Sequence, residues 1–319
     1  MKNILVLGGT GFVGRSVCER LVRRRADGRI VVPTRRIGHG RPVMPLPTVV
    51  LQQADVHDDA TLRRLVEGRD AVINLVAILH GNSAAFDRVH VQLPRRLAAA
   101  CEAAGVRRVL HVSALGVGAD APSNYLLSKA AGEAALRQAA LDLTVLRPSV
   151  IFGANDRFLN LFASMQAVLP VVPLAGADAQ FQPVWVEDVA AALVAALDRP
   201  NSIGQVFECA GPKVYTLAEL VRLAGRWAGH ERPVISLPMA IGRLQAAMMA
   251  LMPGEPLMSK DNLDSMRVPN VATGQLPGLD TLGITASALE AIGPQYLAPV
   301  RGRGRLGPWR AHARRLTLR

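Results

Sequence analysis

An apolar run, Ile4–Leu7, breaks into Gly8-Gly9-Thr10-Gly11-Phe12-Val13-Gly14, and a helical-period segment starts at Phe12. Glycines placed between a strand and a helix allow a tight turn and leave backbone N–H groups bare at the positive end of the helix. Such a turn is a cradle for a pyrophosphate, and its position opening a βαβ unit is what gives the glycines meaning. The backbone of Gly8, Gly9, Thr10, Gly11, Phe12, Val13 and Gly14 is therefore the first candidate binding site.

The chain continues by alternation. Apolar runs at Ile30–Pro33, Val49–Gln52, Ala71–Leu75, Val109–Val112 and Leu143–Leu146 are separated by helical-period segments from Asp59, across Gln92–Ala104 and from about Tyr125 to Ala140. This pattern predicts a parallel sheet covered on both faces. Arg147-Pro148 is expected to stop regular pairing, because proline has no N–H to donate. Residues 1–150 then form one nucleotide-binding domain. Prolines spread from 170 to 269 break residues 151–300 into a smaller α/β lobe. A helix Val189–Leu197, capped by Asp188, is expected to return to the main domain. Residues 301–319 form a basic tail.

The end of the second strand bears on cofactor choice. A site selective for NAD places an acid there for the ribose hydroxyls. This chain reads Val31-Val32-Pro33-Thr34-Arg35-Arg36. Guanidinium groups at that place can take a ribose 2′-phosphate, which favours NADP(H) over NAD(H). Asp55 and Val56 follow the third strand, and Asn74, Val76 and Ala77 follow the fourth, along the far ribose.

Tyr125 and Lys129 stand at i and i+4 on one predicted helix face, twelve residues beyond Ser113 at the end of the fifth strand. An ammonium beside a phenol favours phenolate and equips tyrosine for proton transfer. Lysine can also hold the nicotinamide ribose.

With these residues in place, the chain resembles the extended and atypical branch of the short-chain dehydrogenase/reductase superfamily. The stretch Leu146-Arg147-Pro148-Ser149-Val150-Ile151-Phe152-Gly153 matches that branch, adding Pro148 and Val150 to the candidate cofactor contacts. His111-Val112-Ser113-Ala114-Leu115-Gly116, Gly153 to Asn160 and Phe181 to Ala190 resemble the nucleotide-binding accessory subunits of respiratory complex I and their bacterial relatives. The resemblance implies a Rossmann-type doubly wound sheet, tightly held NADPH with Asp55 and Val56 beside its adenine, and Tyr125, Lys129 and Ser113 as the catalytic set. In the respiratory complex such a subunit is structural, without established turnover. One departure matters: many active members carry a second hydroxyl where this chain has Ala114 and Leu115.

Charge and composition narrow the partners. The formal charge is +12, but seven arginines and no acid lie in the last nineteen residues, and without them the balance is +5. A short Arg-rich terminus can dock an anionic membrane surface or an acidic subunit, or simply stay solvated. Nucleic acid is disfavoured, since no zinc spacing or aromatic-lined basic stripe accompanies the arginines and aromatics make up 4%. Three separated cysteines fit neither disulfides nor a metal site, and a cytoplasmic setting is expected. No leader is expected before the first strand, and no apolar run reaches membrane-spanning length. Five of nine methionines fall in Pro238–Met258. That apolar segment can pack as ordinary core, receive a hydrophobic small molecule, or meet a respiratory partner or the cytoplasmic face of the inner membrane. His80, His90 and His111 are expected to be hydrogen-bonded core histidines. Two functional readings remain: an NADPH-dependent reductase or epimerase/dehydratase acting on an apolar, quinone- or isoprenoid-like substrate, and a non-catalytic NADPH-bound assembly factor.

Overall fold

The computed structural model describes residues 1–24, 27–243 and 259–298. Most of the Met-rich segment, from 244 to 258, and the whole basic tail lie outside the described residues.

The elements run β1 (Asn3–Leu7), α1 (Phe12–Arg24), β2 (Arg29–Thr34), β3 (Val49–Gln53), α2 (Asp59–Val66), β4 (Ala71–Asn74), α3 (Ser83–Phe86), α4 (Leu93–Ala103), β5 (Arg108–Val112), α5 (Asn124–Arg137) and β6 (Asp142–Pro148). They continue as β7 (Ile151–Phe152), α6 (Leu159–Val168), β8 (Val172–Ala175), β9 (Gln180–Phe181), β10 (Val184–Trp185), α7 (Val186–Asp198), β11 (Val206–Cys209), β12 (Tyr215–Thr216), α8 (Leu217–Ala228), β13 (Val234–Leu237), α9 (Lys260–Ser265) and α10 (Leu289–Leu297).

Seven parallel strands form the main sheet in the order β11-β6-β5-β4-β1-β2-β3. The chain winds outward from β1 to β3 and then returns to β4. The carboxyl ends of β1 and β4 therefore border the crevice where the winding reverses, the place such sheets hold ligands. On one face, Val17 and Leu21 of α1 and Val189 and Leu193 of α7 pack over Ile4, Val6 and Ile73. On the other, Leu62 and Leu65 of α2, Leu97 of α4 and Leu136 of α5 cover Leu5, Leu7 and Val72. Because both faces are covered, β1 and β4 read as continuous apolar runs instead of alternating ones.

The helix at 186–198 does lie against the main sheet, but Asp188 is not its cap. Trp185 holds the N-cap position, and Asp188, inside the first turn, accepts from Ser287 N and Oγ. The main sheet also extends beyond residue 150, because β11 pairs with β6. Pro148 does end β6, as expected, two residues past the apolar run Leu143–Leu146. It is the strand's last residue, opposite Cys209, where a missing N–H costs little, and its carbonyl accepts from Leu115 N at 3.0 Å.

The smaller lobe has its own core, with Phe162 of α6, Leu174 of β8, Leu220 and Val221 of α8 and Leu289 of α10. Short strand pairs, β13 with β8 and β12 with β9, replace a broad sheet.

Candidate functional site

The glycine turn is held by its own backbone: Gly11 N donates to Gly8 O at 2.9 Å, and Gly9 N donates to Val6 O at 3.3 Å. Gly8 has φ +80°, a left-handed conformation that favours glycine. A Cβ on Gly14 would lie 2.3 Å from Gly8 O, and one on Gly9 2.8 Å from Val32. Helix α1 can approach the turn only because those atoms are absent. Gly11, by contrast, is exposed, and a Cβ there would meet only Gly8 O. A turn that is tight beneath and open above fits a pyrophosphate on the first amides of α1. Thr10, Phe12 and Val13 are half-buried around it.

At the outer end of the crevice, Arg35 and Arg36 leave β2 exposed. Thr34 Oγ1 donates to Arg36 O at 3.0 Å and so fixes the backbone there. Arg35 lines a surface cleft with Gln52, Gln53, Asp55, Thr61 and Arg64. Asp55 accepts from His57 N at 3.0 Å, which sets its carboxylate beside the cleft, and Val56 is half-buried next to it.

At the inner end, Asn74 closes β4. Its Oδ1 accepts from Val76 N at 3.2 Å, and its Nδ2 faces His111 Nδ1 at 3.2 Å. Ala77 is exposed just beyond. Helix α5 carries Tyr125 and Lys129. Ser123 caps it by accepting from Leu126 N at 3.2 Å. Lys129 is buried, and its Nζ donates to Val112 O at 2.6 Å.

The chain matches the model of the NAD dependent epimerase/dehydratase family over residues 4–210. It belongs to that family. Across 292 residues it is 34% identical to the NADH dehydrogenase [ubiquinone] 1 alpha subcomplex subunit 9 of Mus musculus, covering 89% of this chain and 77% of the relative. It is 32% identical to a ceramide reductase of Caulobacter vibrioides over 241 residues, 74% of this chain and 73% of that one. Among solved structures, an NADPH-dependent quinone oxidoreductase from Escherichia coli, crystallised with NADPH, superposes with a TM-score of 0.74 at 19% identity. It covers 92% of this chain and 99% of its own, a likeness that speaks to the fold alone.

For a member of this family, the inner end departs from the sequence expectation in its charges. Lys129 was expected to lower the Tyr125 phenol. Instead, burial pushes Tyr125 up to about 12. Burial also draws Lys129 down to about 8, with Glu133 acting in the opposite direction. Desolvation is the cause of the Tyr125 shift and the larger cause of the Lys129 shift, while Lys129 Nζ is directed at the Val112 carbonyl. Ser113 is buried between its neighbours, its N–H donating to Leu146 O at 2.7 Å, and its Oγ has no partner. Ala114 and Leu115 are buried beside it and bring no hydroxyl.

The histidines are only partly the saturated core residues expected. Both nitrogens of His90 are engaged, whereas His111 Nε2 and His80 Nδ1 are buried without a partner. Burial lowers His111 well below the ordinary imidazole range, so its ring is neutral.

Two supports were not visible in the sequence. Asp261 of α9 accepts from Asn124 N at 2.8 Å and Tyr125 N at 3.0 Å, so the small lobe caps the helix that bears Tyr125. Asn270 accepts from Ser149 Oγ and from Val150 N, both through its Oδ1, and so locks the segment after Pro148. The capping box Ser259/Asn262 opening α9 is the one local signal that could have pointed to the first.

The three cysteines are free and buried, and burial pushes Cys18 and Cys101 up to about 12, which makes those thiols inert. Among the described residues, no group of three potential ligands could hold a metal, and no helix is long and apolar enough to cross a membrane.

Proposed function

We propose that this family member binds NADP(H) in preference to NAD(H) and works as an oxidoreductase with slow or specialised turnover. The observation that carries the cofactor choice is the pair Arg35 and Arg36, exposed at the end of β2 where an NAD site needs an acid. The open glycine turn would hold the pyrophosphate, and Asn74, Val76, Ala77, Pro148 and Val150 would line the nicotinamide end. Bound there, the nicotinamide supplies or accepts a hydride. Tyr125 would hold or deliver the proton at its phenol oxygen, Lys129 would turn from Val112 O to the ribose, and Ser113 Oγ would offer its free hydroxyl to a carbonyl. One polarising hydroxyl in place of two accords with slow turnover, since losing an oxyanion donor costs roughly a hundredfold or more. An apolar substrate, quinone- or isoprenoid-like, suits a mouth where Leu79 is 53% exposed beside the far-ribose segment.

The test is the nucleotide that the protein carries when purified without additions. Denaturation should release NADPH from the wild type and little from Arg35→Ala/Arg36→Ala. Release of NAD, or of nothing, would overturn the reading.

A second reading, an NADPH-bound assembly factor at the cytoplasmic face of a membrane, is favoured by one further observation. On the small lobe, Val168 is 82% exposed, and Ile235 and Ile241 are each 50% exposed. In that case Tyr125→Phe should leave nucleotide binding and cellular role intact, whereas the reductase reading expects that variant to abolish turnover.

A further inference from the structure

A directed chain of hydrogen bonds joins the segment after β4 to the helix bearing Tyr125. Ile78 N donates to His90 Nε2 at 3.1 Å. A neutral imidazole that accepts at Nε2 carries its proton on Nδ1. His90 Nδ1 faces Ser128 Oγ at 2.9 Å, and Ser128 Oγ donates to the Tyr125 carbonyl at 2.8 Å. Each donor therefore has an acceptor, and all of them point the same way along the chain. Burial, with Lys129 adding to it, draws His90 down to about 3, so the ring is neutral around pH 7.

The ring has a second task. Phe86 stacks on His90 at 5.5 Å between centroids, and the Tyr125 ring meets His90 edge-on at 5.5 Å and 84°. The imidazole is thus part of the wall against which the phenol rests. His90 sits on a π-helical turn, Asp87–Gln92, between α3 and α4. Such turns concentrate at functional sites because they re-aim a side chain within an otherwise regular helix. The turn fits closely against α5: a Cβ on Gly132 would lie 1.8 Å from His90 O. Phenylalanine at 90 would keep the stacking but could not span Ile78 N and Ser128 Oγ.

We infer that His90 is a positioning residue, which through Ser128 and its own ring face couples the nicotinamide-side segment at Ile78 to the placement of Tyr125. Its contacts run to Ile78 N, Ser128 Oγ and the rings of Phe86 and Tyr125. The inference rests on the reading of this crevice as a nucleotide site whose inner end holds Tyr125.

The test compares two probes on the full chain: NADPH, which spans both ends, and 2′,5′-ADP, which occupies only the adenine end. His90→Phe and Ser128→Ala should each weaken NADPH about tenfold while 2′,5′-ADP binds as to the wild type, and Ser128→Thr should restore NADPH. In 13C-tyrosine NMR, the resonance lost in Tyr125→Phe should shift in both disrupting variants, with those of Tyr215 and Tyr296 unmoved. Ser128→Ala leaves the imidazole in place and answers the question should His90→Phe fail to fold. Equal loss of both ligands, or an unmoved Tyr125 resonance with NADPH affinity retained, would reduce His90 to a packing residue. If the wild type binds neither probe, the nucleotide reading falls, and the Tyr125 resonance alone decides the positioning role.

Discussion

The two ends of the crevice handle charge in opposite ways. At the outer end, Arg35 and Arg36 stand exposed to water just past a strand end. At the inner end, Tyr125, Lys129, His90 and His111 are removed from water, and burial moves each toward its neutral form. Exposed guanidinium groups recognise an anion with little dependence on pH but with sensitivity to salt. Buried titratable groups do the reverse, and their geometry must be held by neighbours because water cannot repair it. On the proposed reading, selectivity belongs to the first end, and proton handling, with its structural demands, to the second.

The largest effect should come from the turn that both ends share. Gly14→Ala would put a methyl 2.3 Å from Gly8 O and 2.5 Å from Gly9 Cα, backbone against backbone, with no side chain able to yield. NADPH affinity should fall by about a hundredfold or more, roughly 2.7 kcal/mol, in a calorimetric titration. Unchanged binding would mean that the turn is not the cradle.

Beneath the inner end, Glu133 is buried and accepts from Arg137 and, through both oxygens, from Arg147. Burial pushes its carboxyl up, but the hydrogen bonds and charges of Arg147 and Arg137 outweigh this and hold it below the usual range. The stability it contributes is therefore present above an unfolded value of about 4.3 and is lost as pH falls through the lower folded value. Glu133→Gln should cost about 1.5–3 kcal/mol in denaturant titrations at neutral pH and flatten the acid limb of the stability profile.

A smaller effect distinguishes the ends by pH. Lys129 loses its proton near 8 in the folded protein, against 10.5 ordinarily. NADPH binding should weaken severalfold from pH 7 to 9 in the wild type and stay flat in Lys129→Met. Fold stability from this group moves the other way, rising between those two values because the unfolded chain retains the proton longer. A wild-type profile as flat as the variant's would remove Lys129 from the ribose.

Why one end was easier to read than the other follows from sequence distance. The glycine turn, the arginines after β2 and the Tyr125/Lys129 spacing are local, so a strand followed by a helix places them without further information. The alternation of apolar runs likewise located six strands of the main sheet but not β11, which joins it from beyond residue 150. What escaped comes from contacts between distant segments. Asp261 caps the Tyr125 helix from 136 residues away. The π-helical turn that aims His90 depends on close packing against Gly132, which a helical period cannot display. Charge at the inner end was misjudged for a related reason: spacing places an ammonium near a phenol, but only the packed structure shows how far both have left water.

The most direct test is the ratio of NADPH to NADH affinity, measured by calorimetry for the wild type and for Arg35→Ala/Arg36→Ala at low and moderate salt. The account predicts at least a tenfold preference for NADPH, about 1.4 kcal/mol, that shrinks with salt and collapses in the variant while NADH affinity is unchanged. Equal affinities in the wild type, or a preference that survives loss of both guanidinium groups, would contradict it.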